Sequence, residues 1–214
     1  MEPYIIGIGG PSGSGKSAFC RLMQTTFDGV SRLKFDDFFK DAIDVPMYKD
    51  WHLWDDPQSI KWTELVQAAK DLKANRPAIV PNYSRTEDKT VGEKCVFPAP
   101  IILIDGYQCL CNPELCELMD LKLYFHLSEG SQLRRRRERQ PWVKEGYLYE
   151  TMLPYARTYL FPTKEFADHV INAEMSVQGV ADQCIGIVTN RLGDRLKKLG
   201  SRERFQTVKI FARV

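Results

Sequence analysis

Short apolar runs recur along the chain with longer amphipathic stretches between them, which predicts a parallel β-sheet covered by helices. The run Ile101–Ile104 is apolar at every position, as is typical of a central strand buried on both faces. Core strands are predicted at residues 4–8, 31–35, 101–104, 121–127 and 168–171. The expected fold is therefore a single α/β domain spanning residues 1–214.

Three stretches carry apolar residues at helical spacing. The first predicted helix covers residues 17–27. Asp55 and Asp56 form an acidic cap before Pro57, so a second helix is expected to begin there and to bury one face as far as Leu72. An apolar stripe predicts a third helix over residues 177–196.

Residues 76–100 show a different pattern, in which prolines bracket two short apolar runs. The runs Ala78–Val80 and Cys95–Phe97 are separated by a polar stretch. This arrangement predicts a hairpin that projects from the edge of the sheet. Residues 205–214 fit either an extra edge strand or a tail.

Composition narrows the function classes. Hydrophobic residues make up 43% of the 214 positions, which is enough for a sizeable core. The formal charge of +2 is close to neutral, so the chain as a whole lacks the basic character of a nucleic-acid-binding protein. No apolar run is long enough for a membrane span, and the first predicted strand leaves no room for a signal peptide. We therefore expect a cytoplasmic protein with no nucleic-acid or membrane partner.

Six cysteines are expected to be free thiols in that compartment. Cys109, Cys111 and Cys116 cluster in sequence, but they lack the paired spacing and the nearby histidine ligands of a zinc site. Buried structural cysteine is the favoured interpretation.

A phosphate-binding loop occupies residues 10–17, because Gly-Pro-Ser-Gly-Ser-Gly-Lys-Ser fits the pattern G-x-x-x-x-G-K-[ST]. Its glycines let consecutive backbone N–H groups turn toward an anion at a helix N-terminus. Lys16 is expected to reach the β- and γ-phosphates of ATP, and the hydroxyl of Ser17 is expected to bind Mg²⁺. The residues predicted to bind the nucleotide here are Gly10, Gly13, Ser14, Gly15, Lys16, Ser17 and Ala18. The fold is thus predicted to be a P-loop NTPase-like parallel sheet flanked by helices.

Asp36 is the candidate catalytic base, since it follows the second predicted strand. Ligands of open α/β sheets bind beyond the carboxyl ends of the strands, so Asp36 should share an edge with the phosphate loop. A carboxylate there can accept the proton of a hydroxyl that attacks the γ-phosphate. The alternative is an aspartate that caps the next segment, a role for which Asp37 is the better candidate.

The segment from Gly7 to Lys40, with its run Asp-Asp-Phe-Phe-Lys, resembles the uridine kinase superfamily and most closely the nicotinamide riboside kinases. The resemblance implies that Phe39 contacts the substrate. Residues 54–57, Trp-Asp-Asp-Pro, resemble a segment in which an aspartate grips the ribose hydroxyls, which implies that role for Asp55. Residues 102–106 resemble the Walker B strand and imply that Asp105 lies near Mg²⁺, although the riboside kinases often have Glu there.

A run of arginines, Arg134–Arg139 with Glu138 inside it, resembles the lid helix of the same family, and we define residues 128–160 as the lid segment. Ser128 is a plausible cap for this helix. Arg135 and Arg139 are four residues apart and share a helix face. The resemblance implies that these two contact ATP phosphates and act in catalysis, while Arg136 contacts the nucleoside. A solvated basic face, a nuclear-localisation signal or an RNA-binding patch remain alternatives for this run.

The identity of the nucleobase in the acceptor substrate is the least determined part of the prediction. Trp54 matches one of the aromatic positions that hold a cationic nicotinamide ring, and Trp142 or Tyr147 are candidates for the other face. Simple packing of Trp54 and Trp142 is an equal alternative. Residues 81–85 and 161–168 instead resemble uridine kinase segments, with Ser84 where an aspartate is expected.

These observations predict an ATP- and Mg²⁺-dependent kinase that phosphorylates the 5′-hydroxyl of a ribonucleoside. Nicotinamide riboside is the favoured substrate, uridine or cytidine is the alternative, and a nucleotide switch or regulatory binding protein is a further one. The sequence does not distinguish a monomer from a homodimer.

Overall fold

Five strands form one parallel sheet in the computed structural model, which describes residues 2–199. They are β1 (Tyr4–Gly9), β2 (Val30–Lys34), β7 (Ile101–Asp105), β8 (Leu121–His126) and β9 (His169–Asn172). Their order across the sheet is β2-β7-β1-β8-β9, and every neighbouring pair is parallel. The predicted α/β fold with a parallel central sheet is confirmed, and each strand lies within one or two residues of its predicted bounds.

The sheet is covered on both faces, which explains the uniformly apolar β7. Successive side chains of a strand point to opposite faces. Ile101 and Leu103 pack with α1 (Lys16–Thr26) and α7 (Val177–Leu199), while Ile102 and Ile104 pack with α2 (Trp62–Lys73) and α3 (Pro113–Glu117). All four of these side chains are fully buried.

The second helix differs from its prediction. Asp56 accepts a hydrogen bond from the backbone N–H of Gln58, but this caps only a 3₁₀ turn over Pro57–Ser59. The α-helix proper begins later, at Trp62. The acidic cap is therefore real, and the segment it begins is separate from α2.

The predicted hairpin consists of β5 (Ala78–Ser84) and β6 (Lys89–Val96), which form a two-stranded antiparallel sheet of their own. It packs against α2 and against the 3₁₀ turn Phe35–Phe38, and it lies beside β2 at the sheet edge. Phe97 follows the hairpin and is exposed. A further short antiparallel pair, β3 (Met47–Tyr48) and β4 (Trp51–His52), precedes the Trp54–Asp55 segment.

The lid segment is helical throughout most of its length. It begins with α4 (Glu129–Arg139), where Ser128 caps the helix by accepting a hydrogen bond from the N–H of Ser131. It continues with α5 (Glu145–Tyr147) and α6 (Leu153–Tyr155), which alternate with π-helical turns at Leu148–Met152 and Ala156–Leu160. A 3₁₀ segment, Phe161–Phe166, follows the lid segment. A small apolar cluster of Leu133, Tyr147, Leu148, Met152 and Leu153 holds α4 against the segment that follows.

Three further predictions concern the chain as a whole. All six cysteines are unbridged, and Cys20, Cys109 and Cys184 are buried. Among residues 2–199, no helix combines the length and the apolar character that a membrane crossing needs. Residues 205–214, predicted as an edge strand or a tail, lie outside the described residues.

Candidate active site

The phosphate loop joins β1 to α1 and depends on glycine geometry. Gly10 has a φ of 130°, and a Cβ atom built on it would lie 2.4 Å from the carbonyl oxygen of Phe125 in β8. Gly15, the N-cap residue of α1, has a φ of 93°. Other residues rarely adopt this region, so these positions allow the loop to turn tightly in front of the helix N-terminus.

Lys16 is buried within this loop. Its Nζ donates to the carbonyl oxygens of Gly10 at 2.6 Å and Pro11 at 2.8 Å, and to Ser14 Oγ at 3.3 Å. Burial lowers the pKa of Lys16 to about 8, against the opposing effect of the Asp105 and Asp36 carboxylates. Two of the three carboxylates predicted for the site therefore act on the same ammonium group.

Ser17 and Asp105 lie together, as the predicted metal site requires. Ser17 Oγ donates to Asp105 Oδ2 at 3.1 Å. Hydroxyl and carboxylate oxygens suit Mg²⁺, which is usually held by one or two carboxylates and the substrate phosphates. Across residues 2–199, no group of three or more His, Cys, Asp and Glu side chains could hold a metal. The hydroxyl of Ser17 and the carboxylate of Asp105 fit a magnesium ion that is bound together with a nucleotide.

Arg32 also contacts Ser17 and Asp105, although the sequence did not identify it as a site residue. Its Nε and Nη2 atoms donate to the two oxygens of Asp105, each at 2.6 Å, and Nη2 donates to Ser17 Oγ at 3.0 Å. The signal in the sequence was an arginine in the middle of a predicted strand, where a side chain without a charged partner would be costly.

Asp36 lies in the 3₁₀ turn Phe35–Phe38 directly after β2, at the same sheet edge as the phosphate loop. Its side chain is about half exposed and forms an ion pair of 2.9 Å with Arg85 of the hairpin turn. Asp37 is buried and pairs with Lys94 of β6 at 2.7 Å. The suggested capping role of Asp37 is wrong, because no side chain caps this turn, and Asp37 instead ties the hairpin to it.

Asp55 is contacted by the lid segment. The hydroxyl of Tyr147 donates to Asp55 Oδ2 at 2.6 Å, and Gln108 Nε2 donates to the backbone carbonyl of Asp55 at 2.7 Å. The N–H of Lys40 donates to the carbonyl of Ser59, and that of Lys61 to the carbonyl of Phe38. This pairing holds the chain around Asp55 beside the turn that carries Asp36.

An aromatic cluster lies next to these carboxylates. The ring centroids of Phe39 and Trp54 are 5.8 Å apart, those of Phe39 and Tyr83 are 5.9 Å apart, and His52 lies 5.6 Å from Trp54. The Arg85 guanidinium lies 5.0 Å from the centre of the Phe39 ring. Phe39 and Trp54, which were each implied to contact the substrate, are neighbours in this cluster, and Tyr83 and Arg85 of the hairpin complete it.

The two lid aromatics proposed as partners of Trp54 lie elsewhere. Trp142 is 76% exposed. Tyr147 contacts Trp51 edge-on, with ring centroids 6.2 Å apart, and uses its hydroxyl on Asp55. The aromatic neighbour of Trp54 therefore comes from the hairpin, through Tyr83, and not from the lid segment.

Two of the lid arginines reach the phosphate loop. Arg135 donates to the carbonyl oxygens of Gly13 and Ala173, both at 2.9 Å, and Arg139 donates to Ser12 Oγ at 2.5 Å. The predicted shared face of Arg135 and Arg139 is confirmed. Burial, and next the charge of Arg136, lower the pKa of Arg139, so these two guanidinium groups are close.

Arg136 acts electrostatically on Tyr147, the residue that contacts Asp55. Burial and the Asp55 carboxylate raise the pKa of Tyr147, and the nearby positive charge of Arg136 opposes this rise. Arg136 therefore lies near the Tyr147–Asp55 pair. The remaining arginines of the run face outward, where Arg134 pairs with Glu138 and Arg137 with Glu145.

Comparison with known proteins shows the family of this chain. The family model described as "Phosphoribulokinase / Uridine kinase family" matches residues 5–181. The chain belongs to this family. Its relatives include a uridine kinase of Deinococcus deserti, 30% identical over 183 residues that cover 80% of this chain and 88% of that protein. A uridine kinase of Lactobacillus helveticus is 29% identical over 204 residues, covering 89% of this chain and 94% of that protein.

A solved structure supports the fold. The structure of a possible uridine kinase from Bacillus stearothermophilus superposes with a TM-score of 0.58 at 19% identity and covers 79% of this chain and 89% of that one. Membership of the family confirms the predictions of a phosphotransferase of the nucleoside kinase type and of ATP with Mg²⁺ as its cofactors. The resemblance to the wider superfamily is confirmed, and nothing in these comparisons is specific to the nicotinamide riboside kinases.

Proposed function

We propose that this protein transfers the γ-phosphoryl group of ATP to the 5′-hydroxyl of a pyrimidine ribonucleoside, uridine or cytidine. The observation that carries the proposal is the position of Asp36. This carboxylate lies after β2, acts on the buried Lys16, and borders the cluster of Phe39 and Trp54. It thus lies between the phosphate loop and an aromatic-lined acceptor side. The named uridine kinases among the relatives support the same acceptor.

In this proposal Asp36 orients the 5′-hydroxyl and accepts its proton. Asp55 holds the ribose hydroxyls, and Arg136, which lies near the Tyr147–Asp55 pair, assists it. Such positioning converts the attack into an effectively intramolecular step.

Lys16, Arg135 and Arg139 act on the donor side, where their positive charges stabilise the phosphoryl group as it is transferred. Mg²⁺ supplies further neutralisation of the phosphate charge when it is bound. In this proposal Ser17 and the neighbouring Asp105 are the residues that would hold Mg²⁺.

Charge on the acceptor side favours a neutral pyrimidine over a nicotinamide ring. The Arg85 guanidinium already lies over the Phe39 ring, so a cationic ring that approached this π-face would meet a like charge. Uracil and cytosine instead present carbonyl oxygens, which a guanidinium group can bind. Tyr83 adds a second donor, since its buried hydroxyl has no hydrogen-bond partner within residues 2–199.

Nicotinamide riboside remains the second candidate because of one observation. The rings of Phe39, Trp54 and Tyr83 form a group of the kind that attracts a cation. To bind nicotinamide riboside in this way, the protein would have to move the Arg85 guanidinium away from the Phe39 ring. Removal of the Arg85 charge should therefore affect the two substrates differently.

The deciding experiment is a coupled ATP-consumption assay with uridine, cytidine, nicotinamide riboside and adenosine as acceptors. We expect kcat/KM for uridine or cytidine to exceed that for nicotinamide riboside at least about tenfold. Arg85→Gln should narrow this ratio, because it removes the like charge while retaining hydrogen-bond donors. Preference for nicotinamide riboside would reject the proposal, and nucleotide hydrolysis independent of any nucleoside would favour the nucleotide switch.

A further inference from the structure

Arg32 is a charged residue inside an otherwise structural strand. It lies opposite Leu103 in the pairing of β2 with β7, and Asp105 is two residues beyond Leu103. Residues two apart on a strand face the same side, so Arg32 and Asp105 are diagonal neighbours on one face of the sheet. That face is the one covered by α1, whose first turn carries Ser17.

Arg32 donates hydrogen bonds to both carboxylate oxygens of Asp105 and to the hydroxyl oxygen of Ser17. Its guanidinium binds Asp105 through Nε and Nη2, in the two-pronged arrangement that makes arginine–carboxylate pairs strong. Ser17 Oγ accepts from Nη2 and donates to Asp105. The Asp105 side chain is 3% exposed and that of Arg32 is 12% exposed, so this pair is screened little by water.

The same oxygens are the ones that suit Mg²⁺. A carboxylate whose two oxygens are bound by a guanidinium has little capacity left for a cation, and the positive charge of Arg32 repels one. An arginine does not lose its proton at physiological pH, so only movement of the side chain can free Asp105.

We propose that Arg32 is an internal competitor of Mg²⁺ for Asp105. In the protein without metal, Arg32 neutralises Asp105 and holds Ser17. When Mg²⁺ arrives with the nucleotide, the guanidinium leaves Asp105, so part of the metal's binding free energy is used to break this pair. Arg32 is thus a positioning residue that sets the metal affinity. The inference rests on the use of Mg²⁺ with ATP and not on the identity of the nucleoside.

Direct metal binding tests the inference. Mn²⁺, a spectroscopic substitute for Mg²⁺, is titrated in the presence of a non-hydrolysable ATP analogue and no nucleoside, and free Mn²⁺ is followed by electron paramagnetic resonance. Arg32→Met replaces the aliphatic part of the side chain and removes the guanidinium with its charge. We expect it to tighten Mn²⁺ binding about tenfold or more, and Arg32→Lys, which keeps the charge, to stay within about threefold of the natural protein. Unchanged or weaker binding in a folded Arg32→Met protein would overturn the proposal.

A second measurement uses the natural protein and is independent of whether Arg32→Met folds. Arginine side chains are labelled with ¹⁵N, and the Arg32 Nε–H signal is assigned by its absence from the Arg32→Lys spectrum. We expect this signal to shift strongly when Mg²⁺ is added to the complex with the ATP analogue, because the carboxylate partner is lost. A signal that stays at its metal-free position at saturating Mg²⁺ would show that the pair survives and the inference is wrong. Since no nucleoside is present in either experiment, their failure would leave the proposed acceptor untouched.

Discussion

The buried ammonium group of Lys16 is influenced by carboxylates from both the metal side and the acceptor side of the proposed site. Burial lowers its pKa to about 8, and the carboxylates of Asp105 and Asp36 limit this fall. One carboxylate belongs to the metal side and the other is the proposed base. The ionisation of this single lysine therefore depends on a carboxylate from the metal side and on the proposed base.

Nucleotide binding should take up a proton at alkaline pH. With a pKa of about 8, Lys16 is largely neutral near pH 8.5 in the free protein. The phosphates of ATP favour the charged form and raise this pKa, so the bound state holds more protons than the free state. We expect uptake of roughly 0.7 proton near pH 8.5 and close to none near pH 7, where Lys16 is charged in both states.

Calorimetric titration of the ATP analogue in buffers of different ionisation enthalpy measures this proton directly. The control is the same titration near pH 7. An apparent binding enthalpy that is independent of the buffer at both pH values would contradict the assigned state of Lys16.

Asp36→Asn should separate chemistry from nucleotide binding. Asparagine keeps the size of the side chain and cannot accept the 5′-hydroxyl proton as a base. We expect kcat to fall by about 10²- to 10⁴-fold, with ATP affinity within about twofold of the natural protein. Steady-state kinetics and equilibrium binding of the ATP analogue measure the two effects.

A matched control is Asp44→Asn, the same substitution on an exposed residue of the neighbouring 3₁₀ turn Ala42–Asp44. This variant should retain normal kcat. Near-normal turnover in Asp36→Asn would remove Asp36 from the role of base.

Among the elements, the hairpin β5–β6 differs from the sheet strands in how it is held. Apart from its apolar packing on α2, it is tied to the turn after β2 by two ion pairs, Asp37–Lys94 and Asp36–Arg85. It also carries Tyr83 into the aromatic cluster. Placement of the hairpin should therefore determine the geometry of the proposed acceptor side.

Lys94→Met should loosen the hairpin selectively. It leaves Asp37 without its partner in a mostly buried position, which weakens the link between β6 and the turn. We expect KM for the nucleoside to rise about five- to fiftyfold while KM for ATP changes less than about twofold. Lys89→Met is the control, because Lys89 is exposed and pairs with Glu87 in the hairpin turn itself.

The double variant Asp37→Asn/Lys94→Met removes the unpaired charge but does not restore the ion pair. Partial recovery of nucleoside KM is expected from the relief of the buried charge. Equal increases in both KM values after Lys94→Met would show that the hairpin also shapes the donor side.

The elements themselves were largely predictable, because they follow from local pattern. The apolar β7, the glycines of the phosphate loop and the Ser128 cap each depend on neighbours in sequence. The pairs that shape the site are different. Arg32 with Asp105, Arg85 with Asp36 and Tyr147 with Asp55 join residues far apart in the chain.

Sequence spacing has no information on such pairs, so it could not identify Tyr83 of the hairpin as the aromatic neighbour of Trp54. The start of α2 could not be placed either, since Asp56 and Pro57 are equally suited to a helix or to a 3₁₀ turn.

Over the whole molecule, the donor and acceptor sides come from different segments except for the lid segment, which contributes to both. The donor side lies on the carboxyl edge of the buried sheet, on β1, β7 and the start of α1, and Arg135 and Arg139 of the lid segment reach it. The acceptor side lies on segments outside that sheet, namely the turn after β2, the segment around Asp55, the hairpin and the lid segment. Ligands of the two sides should therefore stabilise the fold by separable amounts.

Thermal unfolding measures this separation. A ligand at about 100 times its Kd stabilises the native state by about 2.7 kcal/mol. For a protein of this size that corresponds to a rise in Tm of about 5–10 °C. We expect the ATP analogue with Mg²⁺ to give such a shift alone, and uridine to add a further rise when the analogue is present, whereas nicotinamide riboside at the same concentration adds little. In Asp55→Asn the increment from uridine should disappear while that from the analogue persists, because Asp55 belongs to the acceptor side only. Loss of both increments in a variant with an unchanged ligand-free Tm would mean that the two sides form one cooperative site, and an equal increment from nicotinamide riboside would contradict the proposed pyrimidine preference.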